Sequence, residues 1–83
     1  MIDASRLKEL DNLTLDAGCH DTFELGHCAM EVVSWLAREP HSYYPQCACP
    51  VITAFILLLN DHMPNEMRTR LLRWILPRLV GSL

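Results

Sequence analysis

The chain has 83 residues, of which 51% are hydrophobic and 20% charged, and a formal net charge of -3. This length fits one domain, 1–83, near the lower limit for independent folding, and the apolar content excludes intrinsic disorder. Residues 1–42 carry eight acids against three bases, whereas residues 43–83 carry two acids against four bases. Nucleic-acid-binding domains usually have an overall basic balance or a dense basic stripe, so these charges argue against a nucleic-acid partner.

The N-terminal residues 1–6 show neither the apolar run nor the small-residue cleavage site of a secretory signal. The most apolar stretch, residues 51–59, is much shorter than the roughly 20 residues that cross a bilayer. We therefore expect a cytoplasmic protein with no membrane-spanning segment. In that reducing compartment the four cysteines should be free thiols or metal ligands rather than disulfides.

The first predicted helix spans residues 3–12. Leu7 and Leu10 lie at helical spacing behind a capping residue, Asp3 or Ser5. Residues 13–20 contain Gly18 and alternate too briefly to form a strand, so they are predicted to be a connector.

The second predicted helix begins at Asp21, because Asp21 and Glu24 have the spacing of a capping box. Apolar residues then recur with a helical period until Pro40, which should end the helix at about residue 39. Glu31 stands at the edge of this apolar pattern, and we expect it to pair with an arginine of the last helix.

The third predicted helix covers about residues 50–62, with Pro50 at its first position and Cys49 as the cap. It is apolar nearly all round, which is typical of a helix that is buried on most faces or that uses one face for a partner.

The last predicted helix begins near residue 64 and has Leu71 and Trp74 on its apolar stripe. Pro77 should kink this helix or divide off a final turn. No segment has the pattern of a strand. The sequence therefore predicts an all-α domain of about four helices packed around the central 50–62 helix.

Cysteine and histidine side chains are frequent between residues 19 and 49. Zinc prefers four such ligands in a tetrahedron, and one ligand from each cluster gives a candidate site of Cys19, Cys28, His41 and Cys47. Their spacing matches no recognised zinc signature. The simpler interpretation makes Cys28 a small core residue and packs Cys47 and Cys49 around a helix start. We therefore expect no cofactor, with structural zinc as the first alternative.

A thiol-based enzyme or redox protein is the second alternative. Cys49 precedes a helix N-terminus, which lowers a thiol pKa, and His41 could serve as its base. However, no oxyanion group, third orienting residue or Gly-rich turn accompanies this pair, and the chain has only three glycines. We therefore expect no enzymatic activity.

Aromatic and arginine side chains are the types enriched at interface hot spots. Tyr43 and Tyr44 lie in a predicted loop, where a hydrophobic core seldom needs aromatic residues. Arg68, Arg70 and Arg73 follow on the last helix. These five residues are the candidates for contact with a partner, although a solvated basic face is the simpler interpretation of the arginines.

Several short motifs follow one another along the chain in a recognisable order. They are Gly26-His27-Cys28-Ala29-Met30-Glu31, Trp35-Leu36-Ala37, Glu39-Pro40-His41-Ser42, Pro45, Cys47, Pro50 and Asn60-Asp61. This order resembles a group of short proteins without an assigned function from actinobacteria-type genomes and their phages, over about residues 18–80. The resemblance implies no activity, but it groups Cys28, Glu31, Pro45, Cys47, Pro50, Asn60 and Asp61 as residues to consider together. Cys49 departs from the pattern.

By analogy, small phage proteins often act as inhibitors or adaptors that bind a host protein. The sequence thus predicts a small non-catalytic interaction module that binds another protein, with a homodimer as a possible form. The contact would use apolar residues that so short a chain cannot cover, together with Tyr43 and Tyr44.

Overall fold

A computed structural model describes residues 2–83 as a set of short helices without a β-strand in that range. The α-helices are α1 (Ala4–Glu9), α2 (Ala29–Leu36), α3 (Pro50–His62), α4 (Asn65–Leu72) and α5 (Leu76–Leu79). Two 3-10 helices, Leu10–Asn12 and Phe23–Leu25, lie between α1 and α2. The predicted all-α class with about four helices is confirmed.

Helix α2 occupies the centre of the fold. All of its residues except Trp35 are buried, and it packs against α1, α3 and α5. The sequence had placed the 50–62 helix there, because that helix is apolar nearly all round. α2 takes the position instead, because its polar residues Glu31 and Ser34 find hydrogen-bond partners in neighbouring loops and can therefore be buried.

Helix α1 begins as predicted, with Asp3 as its cap. The Asp3 carboxylate accepts hydrogen bonds from the backbone amides of Ser5 (2.9 Å) and Arg6 (3.1 Å), which have no partner inside the helix. The Asp3 amide donates to the carbonyl of Leu36 at 2.8 Å. The cap therefore also ties the start of the chain to the end of α2.

The predicted start of the second helix at Asp21 is wrong. Residues 23–25 form a single 3-10 turn, and Gly26 follows with a φ of +142°, which no helix accommodates. The capping residue of α2 is Cys28, and Glu31 three positions later accepts from its amide. The capping-box spacing thus operates at Cys28 and Glu31 rather than at Asp21 and Glu24.

Pro77 divides off a final turn, which was one of the two predicted outcomes. It lies in the first turn of α5, which is separated from α4 by the turn at residues 73–75. Leu72, Leu76 and Leu79 are buried on this segment, while Trp74 is 64% exposed. The predicted apolar stripe is thus wrong at Leu71, which is 39% exposed, and at Trp74, whose neighbour Ile75 packs against the core instead.

Candidate interaction surface

The outer side of α3 presents four large apolar side chains to solvent. Val51, Ile52, Phe55 and Leu58 are exposed to 78%, 37%, 59% and 58% respectively, and we call them the α3 stripe. Their spacing of three, four and seven residues places them on one side of the helix. At these exposed fractions they present on the order of 400 Å² of apolar surface. A patch of that size is in the range of the largest found on a monomer, which is often functional.

The opposite side of α3 is anchored by polar contacts. Its buried residues are Thr53, Ile56 and Asn60. The Asn60 side-chain oxygen accepts from the Ala29 amide at 3.0 Å, and its nitrogen donates to the Asp16 carbonyl at 2.9 Å. Since Asn60 must reach α2 to make these bonds, the orientation of α3 is fixed with the stripe turned outward.

Arg68 is buried at 3% exposure, so its predicted role in partner contact is wrong. Its guanidinium donates to the carbonyls of Asn60 and Met63 and to the side-chain oxygen of Asn65. These acceptors lie in the last turn of α3, in the link to α4 and at the first residue of α4. Arg68 therefore holds the α3–α4 corner instead of facing solvent.

The other two arginines proposed for partner contact differ in exposure. Arg70 is exposed, whereas Arg73 is half-buried and donates to the carbonyl of Asp11. The sequence reasoning missed Trp74, whose exposed ring has the Arg78 guanidinium 6.0 Å from its centroid. The close sequence spacing of Trp74 and Arg78, four residues apart, was the available signal.

The loop tyrosines are exposed, and their ring centroids lie 5.1 Å apart. The loop that carries them is braced by Glu39, whose carboxylate accepts from the amides of Gln46 (2.7 Å) and Cys47 (2.9 Å). Tyr44 lines an open cleft of about 360 Å³ beside Glu39, Pro40 and Gln46. The structure thus places both tyrosines at the surface, on an element separate from α3.

A buried carboxylate organises the N-terminal end of α2. Glu31 accepts from the amides of Cys28 and His20, both at 2.8 Å, and its oxygens lie 3.0 Å from His20 Nδ1 and 3.2 Å from His41 Nε2. The predicted pairing of Glu31 with an arginine is wrong. Burial alone would raise the pKa of this carboxyl, but the hydrogen bonds from Cys28 and His20 outweigh it and hold the pKa below its ordinary value of 4.5.

The surroundings of Cys19, Cys28 and Cys47 raise the pKa of each of these thiols. Burial raises the pKa of Cys28 to about 12. Desolvation, together with the nearby charge of Glu31, raises the pKa of Cys19, and desolvation together with Glu39 raises that of Cys47. All four cysteines are free. The environment of these three thiols therefore works against the thiolate that nucleophilic or ligating sulfur requires.

The four predicted zinc ligands are divided between two places. Cys28 and His41 lie at Glu31, with Cys19 close enough to feel its charge, whereas Cys47 is held at Glu39. Among residues 2–83, no three histidine, cysteine, aspartate or glutamate side chains form a group that could hold a metal ion.

Four residues that the sequence resemblance grouped together do meet at this end of the fold. Cys28 and Glu31 cap α2, Asn60 binds the amide next to Cys28, and Asp61 accepts from the Gly18 amide at 2.9 Å. Their contacts hold residues 16–28 against α2 and α3. The arrangement is that of a structural cluster in which the polar groups satisfy one another.

Comparisons with protein-family models, with curated proteins and with solved structures give no match to this chain. In the described part of the chain, no helix has both the length and the apolar character needed to cross a membrane; the longest, α3, has 13 residues.

Proposed function

We propose that this protein is a small non-catalytic interaction module that binds another protein chain through the α3 stripe. The observation that carries the proposal is the exposure of Val51, Phe55 and Leu58 on a helix whose opposite side is firmly anchored. Exposing so much apolar surface is unfavourable in water, so a sequence that keeps it is expected to cover it with a partner.

The accessible surface of the chain supports the same proposal. It amounts to 5093 Å² for a chain of 9.5 kDa, close to the ~5,000 Å² that a folded monomer of this mass has. One copy therefore has the surface of an ordinary compact monomer while the α3 stripe is uncovered, so the stripe is free to contact a partner.

An adaptor or inhibitor is the form of this function that the sequence resemblance favours, with a host protein as the partner. Tyr43 and Tyr44, with Arg70, would form a second contact region on such a partner. Their exposure supports this part of the proposal, since a tyrosine brings a large contact area at low entropic cost.

Site-specific photo-cross-linking in cells tests the function. A benzophenone side chain at position 55 should give a discrete covalent adduct, because Phe55 lies in the middle of the stripe. The control position is Leu25, an equally apolar and more exposed residue outside α3. Introducing Leu58→Glu into the position-55 variant should abolish the adduct. If positions 55 and 25 gave the same weak, diffuse labelling, the stripe would not be a binding surface.

A further inference from the structure

We propose that the chain which covers the α3 stripe is a second copy of this protein, packed with its own α3 antiparallel to the first around a two-fold axis near Phe55. This inference rests on the proposed function and makes a second copy, instead of a host protein, the chain that binds the α3 stripe; a host protein would then contact Tyr43, Tyr44 and Arg70. The stripe of one copy would then lie directly on the stripe of the other.

The α3 stripe is chemically complementary to the same stripe on a second copy. Residues 50–60 contain no charged side chain and no histidine, so nothing along this length calls for a complementary charge on an unlike partner. A two-fold interface brings the same patch of both chains together, and it therefore needs a patch that is its own complement. Apolar, uncharged interfaces are also more typical of homodimers than of contacts between unlike proteins.

The shape of α3 permits this pairing. A helix of 13 residues is roughly 20 Å long, and two such helices can pack side by side about 8–10 Å apart. Phe55 lies near the midpoint of the stripe, so the two-fold axis brings the two Phe55 rings together and places each Val51 near the partner's Leu58. Antiparallel packing also opposes the two helix dipoles.

The exposed area sets the strength of the dimer. A stable complex buries about 800 Å² on each partner, whereas the stripe alone supplies on the order of half of that. The exposed neighbour Ala54 adds to the contact. Because one copy already has the accessible surface of an ordinary compact monomer, we expect that association is not needed for folding. The structure therefore points to a reversible, concentration-dependent dimer instead of an obligate one.

A charge-swap experiment tests the second copy specifically. Phe55→Glu and Phe55→Lys should each weaken dimerisation at least about 30-fold, because two like charges meet at the axis. Mixing the two variants should restore a dimer that contains one copy of each, since the charges are then opposite. Native mass spectrometry with one variant labelled with ¹⁵N distinguishes this mixed dimer from both like pairs. Leu25→Glu, an exposed apolar residue elsewhere, is the matched control and should dimerise like the parent chain.

Circular dichroism would first establish that each variant is folded, which the exposure of Phe55 leads us to expect. A parent chain that stays monomeric at every concentration would overturn the second-copy proposal. So would a dimer that both substitutions leave unchanged. In either case an adduct between position 55 and a different protein in cells would leave the proposed binding function standing. Absence of both self-association and any adduct would overturn the two together.

Discussion

Replacing Glu31 by glutamine should be among the most damaging conservative substitutions in this chain. The glutamine side chain keeps one acceptor oxygen, which can accept from the Cys28 backbone amide. Its NH2 group replaces the second carboxylate oxygen and faces donors that this oxygen satisfies in the parent chain. Those donors are the His20 amide at 2.8 Å and His41 Nε2 at 3.2 Å. Each buried donor left without an acceptor costs about 1–3 kcal/mol. Since His41 retains the His20 carbonyl as an acceptor, we expect a total loss of about 3 kcal/mol.

For a domain of this size, that loss corresponds to a fall in melting temperature of roughly 12 to 24 °C. The free energy of unfolding, measured by urea titration and followed by circular dichroism, checks the value. Glu24→Gln is the matched control, because Glu24 is exposed and should change the stability by less than about 0.5 kcal/mol. A Glu31→Gln variant as stable as Glu24→Gln would refute the idea that this carboxylate holds the N-terminal end of α2.

Three further outcomes follow from the same contacts. In urea titrations, Gly26→Ala should destabilise the fold by about 3 kcal/mol and Gly18→Ala by about 1 kcal/mol. Both glycines have a positive φ, but only at Gly26 would an added Cβ meet another group, the His20 ring, at 2.8 Å. Equal losses of stability would contradict this prediction. The pKa of Glu31 is lowered in the folded state, so the stabilisation from its ionised form should be complete above the ordinary pKa of 4.5 and should disappear as the pH falls through the folded pKa. The free energy of unfolding should therefore fall less steeply with decreasing pH in Glu31→Gln than in the parent chain. Parallel curves for the two proteins would contradict this. Cys28 should react with iodoacetamide at least about 100-fold more slowly than Cys19, because Cys28 is buried and its thiol pKa is raised to about 12. Peptide mapping would measure both rates. Similar rates would mean that the N-terminal end of α2 opens readily.

Local signals in the sequence predicted the helices that begin with a cap or a proline. The Asp3 carboxylate and the ring of Pro50 act on their immediate neighbours, so these starts can be identified without knowledge of the fold. The division at Pro77 has the same local origin. The class of the fold follows from these elements because no strand pattern competes with them.

The identity of the central helix could not be derived in this way. α3 is apolar nearly all round, yet α2 is the buried helix because loop residues 20 and 41 supply partners for Glu31, and these lie on both sides of it in the sequence. Long-range partners of that kind leave no periodic signal. The buried position of Arg68 has the same explanation, since its acceptors are carbonyl groups at the end of another helix.

That the chain would expose an apolar surface was predictable, but its place in the fold was not. A short chain with half of its residues apolar was expected to leave apolar surface uncovered, and the all-round apolar pattern of the third helix allowed one face to be used for a partner. Which face of α3 is free depends on Asn60, because its side chain must reach Ala29 and Asp16. That requirement emerges only when the helices are assembled.

Carbene footprinting at increasing protein concentration tests the central claim most directly. The reagent labels side chains according to their solvent exposure, so Phe55 and Leu58 should be labelled strongly in dilute solution, where we expect the chain to be monomeric. Labelling at these two positions should fall as the concentration rises, while Leu25 and Trp74, which are exposed elsewhere, keep theirs. Weak labelling of Phe55 and Leu58 in dilute solution would contradict the outward orientation of the α3 stripe, and strong labelling at all concentrations would contradict its burial against a second copy.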